Sequence, residues 1–409
     1  MIKTIRYLIM LSPLLFTSFE CSDSITNPPN YPPGYQFDIP WPSLADSPWP
    51  TFHGNVQSTG RSKFKGPQNG LIIDTITANN IQGGVVIGDD STIYFTTNMP
   101  GNIYAVDFNG QLKWKVQLGY SNESTPLIGR DGTIYCIQKT PGKLVAIDKS
   151  GAIKWEFMAD SPQGIGITIG LDGTIYFISS PYTLNAVEKN GNLLWSLSDP
   201  RFGSSLDKAL SFSPDGKTIY SPGYTASVLA IDVANKKVKW TFGNERLQFS
   251  PLVDSYGNIY ILPDKGNHEK YFLYSLSSDG NLRWKFEYSW NSPLIGYIDP
   301  AMDVFGNIYF GTDTLYSLDY NGNLRWKTPI PENSIIGSPL ICDNAGNVYL
   351  ITFNSAFVNK VFCYSNKGNV NWSLNLPLDL YLPGASAAIA NNGLLFIPSW
   401  SGKNIYVIK

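Results

Sequence analysis

Side chains suited to chemistry are scarce in this 409-residue chain. Two histidines, His53 and His268, are the only imidazoles available as a general base or metal ligand. Neither sits in an H-x-H, HExxH or Cys/His spacing, which excludes the common zinc sets. A Ser-His-Asp triad would have to recruit one of them, and no nucleophile-elbow motif is present. Cys136, Cys342 and Cys363 lie in apolar strand patterns ("TIYCIQ", "PLICDN", "VFCYS") and read as small buried hydrophobes. Cys342 and Cys363 fall on strands with a third between them, a gap of about twice 4.8 Å that exceeds disulfide reach. Asp107, Asp148, Asp232 and Asp319 recur at hairpin turns, where a carboxylate caps local N–H groups. Carboxylates paired across distant segments stay open as a chemistry that spacing does not reveal.

Composition narrows the classes further. A formal charge of −2 gives no electrostatic case for nucleic acid. Aromatics at 14%, charged residues at only 15%, 37 Gly and 28 Pro point to short strands and tight turns.

The elements that would carry any site repeat. Trp recurs at 114, 155, 195, 240, 284, 326 and 372, an average interval of 43 residues. "AVDFNGQLKW" (105–114) and "AIDKSGAIKW" (146–155) show the phrase that precedes it. A second phrase, "DGTIYC" or "FGNIYF", keeps the same beat and occurs eight times against seven of the first. Each unit reads as two hairpins joined at Asp-Gly, Asn-Gly or Ser-Gly turns, hence four strands. Units of this length and pattern are blades of a β-propeller. The fold class is therefore all-β: an eight-bladed propeller of four-stranded antiparallel blades. The last unit is one strand short, and "LIIDTITAN" (71–79) is an apolar strand without a blade. Residues 71–77 are thus expected to close the ring as the outer strand of blade eight, removing an unpaired edge.

The N-terminus carries Lys3 and Arg6, then an apolar stretch from Tyr7 to Phe19 too short to span a bilayer comfortably. With Cys21 following, it resembles a bacterial lipoprotein signal, although Phe19 and Glu20 stand where that family has small residues. The resemblance implies an exported protein lipid-attached at Cys21 on the outer membrane, with the membrane touched through that anchor alone. An ordinary secretory signal with an incidental Cys21 fits the same stretch. Residues 1–20 form the export signal, 21–50 a Pro-rich tether, and 51–409 the propeller.

The phrase Ala-x-Asp-x-x-Gly-x-x-x-Trp resembles the tryptophan-docking repeat of PQQ-like propellers, the superfamily of quinoprotein alcohol dehydrogenases and of non-catalytic BamB-like lipoproteins. The segment 47–67, "SPWPTFHGNVQSTGRSKFKGP", is similar to the superfamily's lead-in. Its His53, Gly60 and Arg61 are expected to pack across the ring with polar atoms satisfied locally. The dehydrogenases hold quinone and calcium with acidic and amide side chains and often a vicinal Cys pair. This chain has no adjacent cysteines and no D-x-[DN]-x-[DN]-G spacing, so neither cofactor nor catalysis is expected.

In such a ring the short A–B and C–D turns share one face, and the variable B–C and D–A connections share the other. The latter bring Arg201, Phe202, Tyr224, Arg246, Trp290, Tyr381 and Trp400 to one rim, as aromatic and Arg anchors for a ligand. The expectation is a protein-interaction scaffold of the cell envelope, its partner another envelope protein. A carbohydrate or small-ligand binder using the same rim is the alternative, and a PQQ-dependent dehydrogenase-like enzyme the lesser one.

Overall fold

A computed structural model describes residues 31–120, 122, 124–160, 162–202, 209–247, 249–264, 270–291, 298–356, 358–377, 386–399 and 402–409, with backbone alone for 162–165. Cys21, His268, Tyr381 and Trp400 lie outside the described residues.

Eight antiparallel sheets of four strands each, labelled A to D outward from the inner strand, follow one another along the chain. Blade 1 is Ile81–Ile87, Ile93–Thr97, Gly101–Val106 and Leu112–Gly119. In blade 7 strand A is split into Ile335–Ile336 and Ile341–Cys342. Blade 8 takes three strands from the chain's end (Ala388–Ile389, Leu395–Pro398, Asn404–Ile408) and its outer strand, Ile72–Thr77, from the beginning. That strand is antiparallel to 404–408, with Ile76 opposite Ile405. Closure by an N-terminal strand is as the missing-strand count requires.

Within a blade, one row of side chains explains the repeat. Tyr94 on strand B pairs with Ala105 on C, which pairs with Trp114 on D. Because Ala105 is small, the two rings meet above it, with centroids 5.7 Å apart. The row returns as Tyr135–Ala146–Trp155, Tyr260–Ser275–Trp284 and Tyr349–Cys363–Trp372, with ring separations of 5.8, 5.8 and 5.9 Å. Ala, Ser or Cys is needed at the middle because a larger side chain would hold the rings apart. Cys363 thus fills a packing position. Cys136, Cys342 and Cys363 are free and buried, and strand B separates the last two.

The same Trp also joins blades. Trp114 Nε1 donates to Lys149 O (2.8 Å) in the C–D turn of blade 2, and a Cβ on Gly151 would come within 2.9 Å of its ring. Trp155 repeats this with Lys189 O and Gly191, and Trp326 with Asn366 O and Gly368. The space for each indole across the junction therefore comes from the next blade's turn glycine, which is held at positive φ. Ala105 and Ala146 serve the contact inside the blade. The closing junction has no Trp: Ile76 packs beneath Gly110, and Phe108 meets Phe396 at 5.1 Å. Asp107, Asp148, Asp232 and Asp319 accept hydrogen bonds from N–H groups of their own turns, as expected.

Candidate functional site

The two faces differ in how they are finished. On the face of the A–B turns, residues 33–67 lie across the inner strands. The folded unit begins at Pro33, so the Pro-rich stretch from 33 to 50 is docked rather than a tether. Trp41, Leu44 and Trp49 are buried because they seat between blades. The N–H groups of Ile87, Ile128, Phe212, Val253, Met302 and Cys342 end six inner strands. They donate to the carbonyls of Trp49, Pro50, Val56, Gln57, Thr59 and Gly60 at 2.7 to 2.9 Å. Blade 3 is reached by Trp41 Nε1, which donates to Ile169 O. The segment thus satisfies the inner sheet edges that would otherwise point at the axis. His53 is fully buried here, with Nδ1 2.9 Å from Ser58 O and Nε2 2.7 Å from Leu340 O. Both ring nitrogens face main-chain carbonyls, one five residues on and one in blade 7, and a single ring N–H serves one of them; the ring packs across the face, as expected, but its polar contacts are not all local.

The opposite face carries the variable loops, and four of the rim residues lie along one continuous crest. Tyr224 N donates to Arg201 O (2.9 Å), Leu247 N to Gly223 O (2.9 Å) and Asp264 N to Arg246 O (2.8 Å). These bonds lock the connections of blades 3, 4 and 5 together. The Arg246 guanidinium lies 5.8 Å from the centre of the Tyr224 ring, which is about half exposed. Its Nε is buried and has no hydrogen-bond partner among the described residues. Further along, Trp290 stacks on Tyr271 at 5.1 Å, and its indole Nε1 likewise has no partner there. Arg201 is held by Asp199 through Nε (2.8 Å) and Nη2 (2.5 Å), which lowers the Asp199 carboxyl below the usual carboxylate range and raises the guanidinium.

Phe202 departs from expectation. The short helical turn Pro200–Phe202 rotates its ring into the core of blades 3 and 4, where it is 1% exposed, so it offers no anchor. A cavity of about 460 Å³ opens on the same face between blades 2 and 3, lined by Phe157, Met158, Ser179, Thr183 and Asn185 among others. Sequence reading missed it because its walls are ordinary repeat positions whose loops happen to diverge.

This architecture defines a PQQ-like β-propeller. The family model described as "Outer membrane protein assembly factor BamB" matches residues 57–207 and 180–397, and the chain belongs to that family. No curated protein sequence matches it significantly. Among solved structures, BamB from Moraxella catarrhalis superposes with a TM-score of 0.59 at 15% identity, covering 83% of this chain and 97% of that one. A quinohemoprotein alcohol dehydrogenase from Pseudomonas putida HK5 gives a TM-score of 0.67 at 12% identity, covering 91% of this chain and 83% of that one. The WD40 domain of Sif2 gives 0.65 at 11%, covering 84% and 98%. At these identities the structural likenesses establish the fold alone.

The dehydrogenase branch implies a quinone and its metal. Among the described residues no group of three or more His, Cys, Asp or Glu could hold a metal ion. The repeated turn aspartates are already engaged by local N–H groups. The described residues therefore do not fit the metal of that branch. Among them, too, no helix is long and apolar enough to cross a membrane.

Proposed function

We propose that this chain is an exported, non-catalytic scaffold of the cell envelope, anchored through Cys21 and engaging a protein partner with the crest formed by Arg201, Tyr224, Arg246 and Trp290. The family membership supports the envelope role. The observation that carries the binding surface is the crest itself, where connections of adjacent blades bonded through their backbones present an exposed Tyr, a stacked Trp and an Arg whose Nε has no partner among the described residues. Aromatic and Arg side chains of this kind dominate interface energetics. The test is a photo-crosslinking residue at Tyr224 in cells, with one at Asn109, in a turn of the opposite face, as control. One defined adduct at 224 and none at 109 is expected, and Trp290→Ala or Arg246→Ala should cut its yield at least tenfold. Adducts equal at both positions would refute the reading. The cavity beside Phe157 favours a second reading, a glycan ligand stacked on the aromatics, which would appear as glycan-array binding without any protein adduct.

A further inference from the structure

The face sealed by the N-terminal segment carries a cavity of its own. It measures about 500 Å³, and its walls are the docked stretch 38–50, residues 54–63 and Arg130 from the A–B turn of blade 2. Arg130 is fixed through its backbone, its N–H donating to Ser43 O at 2.7 Å, while its side chain is exposed. Three cations line the space, Arg61, Lys63 and Arg130, against two carboxylates, Asp38 and Asp46.

Arg61 is the unusual member. Its side chain is only 6% exposed, whereas its ion-pair partner Asp38, at 3.0 Å, is 73% exposed. Nη2 donates to Asp38 and to Phe37 O, but Nη1 is buried and has no partner among the described residues. A guanidinium has five donors in a fixed fork, and burying one with part of the fork idle is costly unless an acceptor arrives. Two more lining residues share the deficit: Gln57 Nε2, a donor only, and Ser47 Oγ are buried and have no partner among the described residues. Lys63 pairs with Asp46 at 2.8 Å, both well exposed, so that pair is screened by water and free to rearrange.

Cations outnumber carboxylates here, and the idle donors are covered in the free protein, so the space selects a ligand whose acceptor oxygens displace the exposed Asp38 carboxylate and reach the Arg61 fork. The volume is several times that of a bare inorganic ion and falls in the range of small-molecule pockets. Pro40, Pro42, Pro48 and Pro50, with Ile39, supply a stiff apolar wall. We infer that this cavity binds a small organic oxyanion, a carboxylate or phosphate ester on a compact apolar body, with Arg61 as its principal anchor. The inference is independent of the crest and of the envelope role, since it rests on the other face.

Calorimetric titration of the full chain with 3-phenylpropionate, phenyl phosphate and the neutral 3-phenylpropionamide tests it. One or both anions should bind, the amide at least tenfold more weakly, and the preferred anion identifies the headgroup. Arg61→Gln should abolish binding. Because Arg61 also braces Phe37, the exposed Arg130→Gln serves as a second variant, expected to fold normally and to weaken binding about three- to tenfold. No binding of either anion at about 5 mM, the weak end of specific affinity, would overturn the proposal. So would equal affinity for the amide, or an affinity unchanged in Arg130→Gln and Arg61→Gln alike. A crystal structure showing enclosed waters on Arg61 Nη1 and Gln57 Nε2 that persist in saturating anion would overturn it as well.

Discussion

Two glycines isolate the energetics of the blade junction. Gly151 and Gly173 have nearly the same backbone, φ +91° and +89°, and each closes a turn with its N–H on the carbonyl three residues back. They differ in what a methyl group would meet. At Gly173 the nearest atom is Lys189 Cβ at 4.0 Å, whereas at Gly151 it is the Trp114 ring at 2.9 Å. Gly173→Ala therefore measures left-handed strain alone, about 1 kcal/mol once the stiffer unfolded chain is credited. Gly151→Ala adds displacement of the indole and of its bond to Lys149 O, an overpacking term of about 1–3 kcal/mol. The expected total is about 2–4 kcal/mol. Trp114→Ala alone should cost about 2–3 kcal/mol, below the range for fully buried Trp because this ring is only half-buried. In the Trp114→Ala background, Gly151→Ala should fall back to the Gly173→Ala value, a coupling of about 1–3 kcal/mol. Urea unfolding followed by far-ultraviolet circular dichroism reads these differences as shifts in midpoint. Equal penalties at 151 and 173, or a Gly151→Ala penalty that survives removal of Trp114, would refute the argument that the indole sets the glycine.

Deleting residues 68–80 removes the outer strand of blade 8 and the Ile76–Gly110 contact. The edge of 404–408 is then bared, so a large fall in melting temperature with concentration-dependent association by light scattering is expected. Burial raises the Cys136 and Cys363 thiols to about 12, and the Tyr94 and Tyr135 phenols likewise to about 12. These groups stay neutral in the fold while the unfolded chain ionises near pH 9–10. Their stabilising contribution is therefore intact below about pH 9 and is lost as pH rises towards 12, which urea midpoints measured from pH 8 to 11 should show as a steady decline. The same burial predicts that Ellman's reagent reaches Cys136, Cys342 and Cys363 only after denaturation.

The repeat was legible because its physics is local. A Tyr, a small residue and a Trp at fixed register, followed by a turn glycine one blade on, can be read from spacing. The split between ring and tether was not legible in the same way. Proline density argues for extended chain, but residues 33–50 are broken by turns at 33–34 and 42–43 and are docked rather than solvated. The signal lay in the Trp-Pro pairs at 41–42 and 49–50, since a solvated linker has no use for two indoles. Phe202 shows the converse failure. Its position in a variable loop marked it as exposed, and one helical turn at Pro200 directs it inward. The oxyanion cavity was beyond reach because Arg130 joins residues 38–63 only when blade 2 meets the docked segment.

That docked segment also sets a timetable. Its partners arrive late: 287 residues separate His53 from Leu340, and 305 separate Pro67 from Trp372. Chain ends this far apart in sequence pay their loop-closure entropy before any contact compensates it, which slows folding. As the polypeptide emerges N-terminus first, Trp41 waits for Ile169 of blade 3 and Phe212 of blade 4, while His53 and Pro67 wait for blade 7. Until then the growing solenoid of blades has an open axis and two unfinished ends, and its apolar leader is available to other binders. Completion of the ring is thus the step that withdraws the last of those apolar side chains from water.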